Sequence, residues 1–313
     1  LKYNYSNYYN LIQRLEVLIN LRTDMMPVEK WSLIMLKFTK MHGAGNDYIY
    51  IEDLKDQIKN PSKLAKDMSN RNFGVGSDGL ILILKSKDAD FRMRMFNSDG
   101  SESEMCGNGI RCFAKYVYDH KLTQKDNISI ETDGGIKQLE LKIKNNLVDS
   151  VKVDMGEPVL QRERIPMLGD PGMVINEDLH LPDGVTFSII SLSMGNPHVV
   201  IFVEDAENFP VAKYGPIIEN LDIFPNRTNV EFVQILNSKE VIQRTWERGA
   251  GETMACGTGA SAVTVAGVLS KQTERKITVH LPGGDLKTEW NEKSNHVFLT
   301  GPAVEVFKGE WLL

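Results

Sequence analysis

From Met35 onward the chain alternates short apolar runs with polar turns, and only four stretches have helical spacing. "LKFTKMHG" and "YIYIED" predict two strands around a Gly-rich turn, and "PSKLAKDMSN", with Pro in the first-turn position, predicts a helix. "LILILKS" and "FRMRMF" predict a strand pair, the second with period-two alternation. "NSDGSESEM" reads as a loop, a helix follows Cys106, and "ISIETDGG", "KQLELKIKNN" and "LVDSVKVDMG" predict strands joined at GG and NN turns.

The second half repeats this order. "FSIISLSMGNPHVVIFVED" gives two strands around a turn, "VAKYGPIIEN" a helix, and "TNVEFVQIL" and "EVIQRTWERG" two more strands. A helix then follows Cys256, and "KITVHLPGG", "DLKTEWNE" and "NHVFLTG" close the half as strands. A chain of 313 residues exceeds the usual single-domain size. The pattern therefore predicts an α/β fold with mixed sheets in two units of duplicated topology. The first spans 35–150 and takes back a returning strand at 302–313; the second spans 151–301. The Asn- and Tyr-rich head, 1–34, lacks the basic and apolar regions of a secretory signal. It is expected to be a poorly ordered extension, or translated sequence upstream of a start at Met35.

Charge and composition narrow the partners. The net charge of −6, with Lys and Arg scattered, carries no basic footprint for nucleic acid. The longest apolar runs, such as "LILIL" at Leu80–Leu84, are far short of the roughly 20 residues of a membrane helix. The three cysteines form no CxxC or Cys/His cluster, so no metal is expected. "GVGSDG" at Gly74–Gly79 fits the dinucleotide pattern G-x-G-x-x-G, but it leads into a strand instead of opening a helix, so a nucleotide site is not expected.

Two of the three cysteines head similar segments, "MCGNGIRCFAKYV" and "ACGTGASAVTVAG". A thiol at a helix N-terminus sits beside unpaired N–H groups and the positive end of the helix dipole, which can lower its pKa towards neutrality. The flanking glycines leave those N–H groups open to a carboxylate. Two such loops facing each other suit proton transfer across a carbon: a thiolate removes an α-proton from one face and a thiol delivers one to the other. The helix N-termini would hold the α-carboxylate and the charge that flows onto it, with no cofactor. Plainer readings are two small buried residues after tight turns, or a disulfide, which needs Cα atoms within about 7 Å. Cys112, inside the first helix, reads as a buried small hydrophobe.

In "FTKMHGAGNDYI", "FNSDGSESEMCGNGIRCFAKY", "GNPHVV", "NRTNVEFVQ" and "WERGAGETMACGTGASA" the chain resembles the diaminopimelate epimerases, which are racemases and epimerases working without pyridoxal phosphate. The stretches occur in the family's order from about Leu36 to the C-terminus. The resemblance implies two pseudo-symmetric domains, each a mixed sheet curled around a central helix, with the site in a cleft that closes on substrate. It implies interconversion of LL- and meso-diaminopimelate for lysine and peptidoglycan synthesis, no cofactor, a homodimer and a cytoplasmic location. By motif, Cys106 and Cys256 are the acid/base pair, and Gly107, Asn108, Gly257 and Thr258 offer backbone N–H groups to the reacting carboxylate. Asn46, Asn97, Asn196, Asn229, Glu247 and Arg248 hold the amino and carboxylate groups, including the distal head. His198 and Glu247 would tune or relay protons. Many family members carry Gln where this chain has Gly79, so a contact made by that Gln does not carry over.

Two other readings compete. A proline or hydroxyproline racemase shares the twin cysteine loops, but "ERGAGET" and the distal-head residues argue for a longer substrate. A thiol-redox or small-molecule binding protein on the same fold would have no need of both cysteines and both cradles.

Overall fold

The computed structural model describes residues 35–312, and the head assigned to 1–34 lies outside them. The first half of the described chain contains β1 (Met35–Gly43), β2 (Asn46–Glu52), α1 (Pro61–Ser69), β3 (Gly79–Leu84), β4 (Phe91–Asn97) and the two-residue β5 (Glu102–Ser103). It continues through α2 (Gly107–Asp119), β6 (Asn127–Thr132), β7 (Gly135–Lys144) and β8 (Leu147–Asp154). After a 3-10 turn at Arg162–Arg164 come β9 (Val174–His180), β10 (Thr186–Ser193), β11 (Pro197–Phe202), α3 (Val211–Glu219), β12 (Asn229–Asn237) and β13 (Glu240–Glu247). The last elements are β14 (Gly251–Thr253), α4 (Gly257–Leu269), β15 (Lys276–Leu281), β16 (Gly284–Trp290), β17 (Val297–Gly301) and β18 (Val304–Leu312).

The strand pairing is written twice. β1 and β2 are antiparallel, β2 and β3 parallel, β3 and β4 antiparallel, β4 and β6 parallel, and β6, β7 and β8 form a meander. In the same order, β10 and β11 are antiparallel, β11 and β12 parallel, β12 and β13 antiparallel, β13 and β15 parallel, and β15, β16 and β17 form a meander. A parallel pair needs a crossover, which α1 and α2 supply in the first half and α3 and α4 in the second. The halves join edge to edge where β8 pairs with β17, from Asp154↔Phe298 to Val151↔Gly301. Residue 150 lies within β8. Each trailing strand pairs with the leading strand of the other half: β9 with β10, and β18 with β1. Lys37–Gly309 cluster as one compact unit.

The helices carrying the cysteine loops are central. α2 buries Ile110, Cys112, Phe113, Ala114, Tyr116 and Val117, and Lys115 Nζ donates to the Val148 carbonyl of β8 at 2.7 Å. α4, "GTGASAVTVAGVL", is small or β-branched almost throughout and is buried on nearly every face. A helix without a polar side has to be enclosed, and the strands of the second half enclose it. β3 is buried at all six positions, as befits a strand with a parallel neighbour and helices packed against it.

Two strands escape the hydrophobic pattern. β5 lies inside "NSDGSESEM", where only Ser103 and Glu102 pair, with Met95 and Phe96. β9, "VINEDLH", buries only Val174 and Leu179, so its apolar signal is sparse. All three cysteines are free, so the disulfide alternative is not realised. Among the described residues no helix is long and apolar enough to cross a membrane, and no group of three or more metal-ligating side chains occurs.

Candidate active site

Cys106 and Cys256 occupy the same position at the start of α2 and α4. Both are extended N-cap residues, at φ −131°, ψ 122° and φ −114°, ψ 113°. Each sulfur accepts from the N–H three residues on, Gly109 at 3.4 Å and Gly259 at 3.3 Å, as a capping oxygen would. The two N-termini abut so closely that a Cβ on Gly257 would lie 3.7 Å from the Cα of Gly107. Asn108 ties them together: its Nδ2 donates to the Ala255 carbonyl at 2.9 Å, immediately before Cys256. Its Oδ1 accepts from Arg111 at 2.8 Å, and the fully buried Arg111 also donates to the carbonyls of Gly107 at 2.9 Å and Pro302 at 3.3 Å.

The junction opens into a cleft of about 1200 Å³, lined by Asn46, Asn97, Cys106, Gly107, Asn108, Asn196, Asn229, Glu247, Arg248, Cys256, Gly257 and Thr258. Of the acid/base and substrate-binding residues named from the sequence, His198 alone is not in the lining; it is fully buried behind it. His198 Nδ1 meets Glu231 at 2.8 Å and Nε2 meets Asn196 Oδ1 at 2.9 Å. Asn196 Nδ2 reaches Thr258 Oγ1 at 3.3 Å, which is 3.5 Å from Cys256 Sγ. His198 therefore connects to Cys256 through two intervening side chains.

Several lining side chains are already engaged. Asn229 donates to the Pro197 carbonyl and accepts from the Arg248 N–H, both at 2.9 Å, so its amide shapes the wall. Glu247 accepts from Thr253 Oγ1 at 2.5 Å, and Asn97 donates to Ser101 Oγ at 3.0 Å. The side chain of Asn108 is spent on the links described above, so only its backbone N–H, which faces Cys106, is left to meet a ligand there.

The electrostatics correct one expectation. The helix N-termini were expected to bring the thiols towards neutrality, but burial dominates and pushes Cys106 above the ordinary thiol range, against the N–H groups of Gly109 and Asn108. Cys256 is pushed well above it by burial, with the Glu247 and Glu231 carboxylates adding to the push. Glu247 is itself raised by burial. Burial thus opposes ionisation of both thiols, and a cationic group beside one of them would favour its thiolate.

A family model described as diaminopimelate epimerase matches residues 38–161 and 190–306. The chain belongs to the diaminopimelate epimerase family. The diaminopimelate epimerase of Methanococcus maripaludis strain C5 is 56% identical over 275 residues, covering 88% of this chain and 99% of the relative. That of Acetivibrio thermocellus is 54% identical over 275 residues, covering 88% and 98%. Among solved structures, a PhzF-family phenazine biosynthesis protein from Bacillus anthracis aligns with a TM-score of 0.66 at 18% identity, over 89% of this chain and 99% of that one. A hydroxyproline epimerase from Agrobacterium vitis aligns with a TM-score of 0.64 at 13% identity, over 89% and 91%. At such identities the structures show a shared fold.

Within this diaminopimelate epimerase family fold, sequence reasoning missed a charged cluster behind Asn46. Asp78 Oδ2 accepts from Asn46 Nδ2 at 2.7 Å and from the Asp47 N–H at 3.0 Å, while Arg71 bridges Asp47 and Asp78 at 2.9 Å each. Lys40 pairs with Asp47 and donates to the Gly76 carbonyl. Burial pushes Asp47 up, but Arg71 and Lys40 outweigh it and hold the carboxyl below its usual range. The signal is present in "GNDY" and "GSDG", the second of which also carries the nucleotide-like pattern. Glu231 and Arg111 were missed because nothing local marks them. Gly79 is sterically fixed: a Cβ there would meet the Phe96 carbonyl oxygen and lie 3.0 Å from the Tyr48 ring, so this backbone has no room for Gln.

Proposed function

We propose that the protein interconverts LL- and meso-2,6-diaminopimelate by two-base α-proton transfer between Cys106 and Cys256. The observation that carries the reading is the meeting of two cysteine-headed helix N-termini at one cleft, in a chain that belongs to this family. The α-carboxylate of the substrate sits at the N–H groups of Gly107, Asn108, Gly257 and Thr258, where both helix dipoles favour negative charge. The α-ammonium enters beside a thiol whose ionisation burial opposes, and its positive charge favours release of that proton to water while the cleft is still open. The resulting thiolate takes the α-proton from one face. Charge flows onto the carboxylate, the N–H groups stabilise it, and the opposite thiol protonates the other face.

Glu247 and Arg248, with Asn97 and Asn196, suit the ammonium and carboxylate of the distal head, which a proline-sized substrate lacks. His198 acts through Asn196 and Thr258 on Cys256. The reading includes two lobes, 35–150 with 302–313 and 151–301, that close on the substrate; the duplicated strand order supports it. It also includes a homodimer and a reducing, cytoplasmic setting that keeps the facing thiols apart.

The test is reaction with LL-diaminopimelate in D2O with reductant, followed by NMR and chiral chromatography. Deuterium at one α-carbon together with meso product is expected, and Cys106→Ala and Cys256→Ala should each abolish turnover while remaining folded. Exchange on proline but not on diaminopimelate, or appreciable turnover by either alanine variant, would overturn the reading.

A further inference from the structure

The two cysteines differ in the asparagine beside them. Cys106 Sγ donates to Asn46 Oδ1 at 3.2 Å, and Asn108 Nδ2 reaches the same oxygen at 3.4 Å. The other end of that amide, Nδ2, meets Asp78 Oδ2 at 2.7 Å. A carboxylate offers only acceptors, so turning the Asn46 amide over would set oxygen against oxygen. Asp78 is in turn held by Arg71 and by the Asp47 N–H. Asn196, near Cys256, lies between Nε2 of the His198 ring, whose Nδ1 faces the Glu231 carboxylate, and the Thr258 hydroxyl, so no carboxylate bonds its amide directly.

We propose that Asp78 is a positioning residue that locks the Asn46 amide with its oxygen towards Cys106. The inference rests on the two-cysteine reading above. An amide oxygen at the sulfur accepts from the thiol and repels the thiolate, whereas the amide nitrogen would do the opposite. Asp78 thus fixes an acceptor at the reacting centre, where it receives the Cys106 thiol and the ammonium of the substrate. The other groups facing Cys106 are Tyr48 on β2, the Asn108 and Gly109 N–H groups of its own helix, and Glu247 on β13. Arg111 of α2 lies within electrostatic range. Tyr48 also feels the Asp78 charge and bonds Asn46, so replacing Asp78 reaches Cys106 through it too; the Asn46→Ala background separates the amide's part from that one.

The test measures iodoacetamide alkylation of Cys106 and Cys256 against pH, each followed by peptide mass spectrometry, in the full chain without substrate. In Asp78→Asn the Asn46 amide is free to turn, so the alkylation midpoint of Cys106 should fall by about one pH unit while that of Cys256 stays put. Asn46→Ala, which removes the amide from a partly exposed position, should lower the Cys106 midpoint likewise. Adding Asp78→Asn to Asn46→Ala should then change little further. With LL-diaminopimelate, Asp78→Asn should lower kcat about tenfold or more while KM stays within about threefold. An unchanged Cys106 midpoint in folded Asp78→Asn, or an undiminished Asp78→Asn effect in the Asn46→Ala background, would overturn the proposal. So would a rise in KM alone, which would mark Asp78 as a direct substrate contact. Because alkylation needs no substrate, its result is separate from the D2O exchange that tests the function.

Discussion

Asn108 is the side chain that couples the two cysteine loops, and Asn108→Ala measures what the coupling contributes. The substitution removes the bond to the Ala255 carbonyl at 2.9 Å and the acceptor for Arg111 at 2.8 Å. Asn108 is 2% exposed and Arg111 is fully buried, so water does not readily replace either partner. Leaving a buried acceptor and a charged donor unpaired costs about 1–3 kcal/mol for the first and more for the second, about 3–5 kcal/mol together. Set against a typical folding stability of about 5–15 kcal/mol, that is a large share. At about 2–4 °C per kcal/mol for a large domain, Tm should fall by about 6–20 °C. Urea unfolding and calorimetry at pH 7 with reductant would measure the loss, and the cycle with Arg111→Met would isolate the Asn108–Arg111 term. Turnover should fall as well, because the cradle N–H groups lose their fixed spacing. A loss under about 1 kcal/mol, with no coupling to Arg111, would refute the reasoning and show that the helix N-termini hold together without this link.

Two further outcomes follow from burial. Cys112 is pushed up to about 11 by burial, so its contribution to stability is fully present below the unfolded thiol's pKa and is lost as pH rises through 11. Raised by about two pH units, it accounts for roughly 3 kcal/mol, and Cys112→Val should flatten the fall of the urea midpoint between about pH 9 and 11. Identical slopes in parent and variant would count against it. Gly79→Gln, which introduces the residue of many relatives, should cost about 1–3 kcal/mol by pressing on the Phe96 carbonyl and the Tyr48 ring. It should also slow turnover through the neighbouring Asp78, and a neutral urea midpoint would show that β3 yields easily.

Where a structural decision is local, the sequence announces it. The Cys-Gly-polar-Gly junctions predict two helix starts, and both helices begin at the glycine after the cysteine. Period-two alternation in "FRMRMF" predicts β4, and the returning final strand is β18 beside β1. What stays hidden depends on distant partners. β9 is a strand because β10 offers it an edge; its own apolar residues are few. The thiols are raised because burial by remote elements outweighs the local dipole, which is the only term that the motif displays. Likewise, Arg111 sits inside a recognisable motif, yet nothing in "GIRCF" tells that its guanidinium reaches back to Gly107 and Asn108 and across to Pro302.

The exchange of trailing strands has a consequence for how the chain is made. β1 is among the first strands to leave the ribosome, yet its outer neighbour is β18, from Val304–Leu312, the last element of the described chain. The free edge of β8 must likewise wait for β17. Through most of synthesis the finished first half presents two unpaired edges, each a template for the wrong strand. The halves can begin to fold in turn, but the sheet is completed only when its last strand arrives, and aggregation during translation is the hazard of that delay.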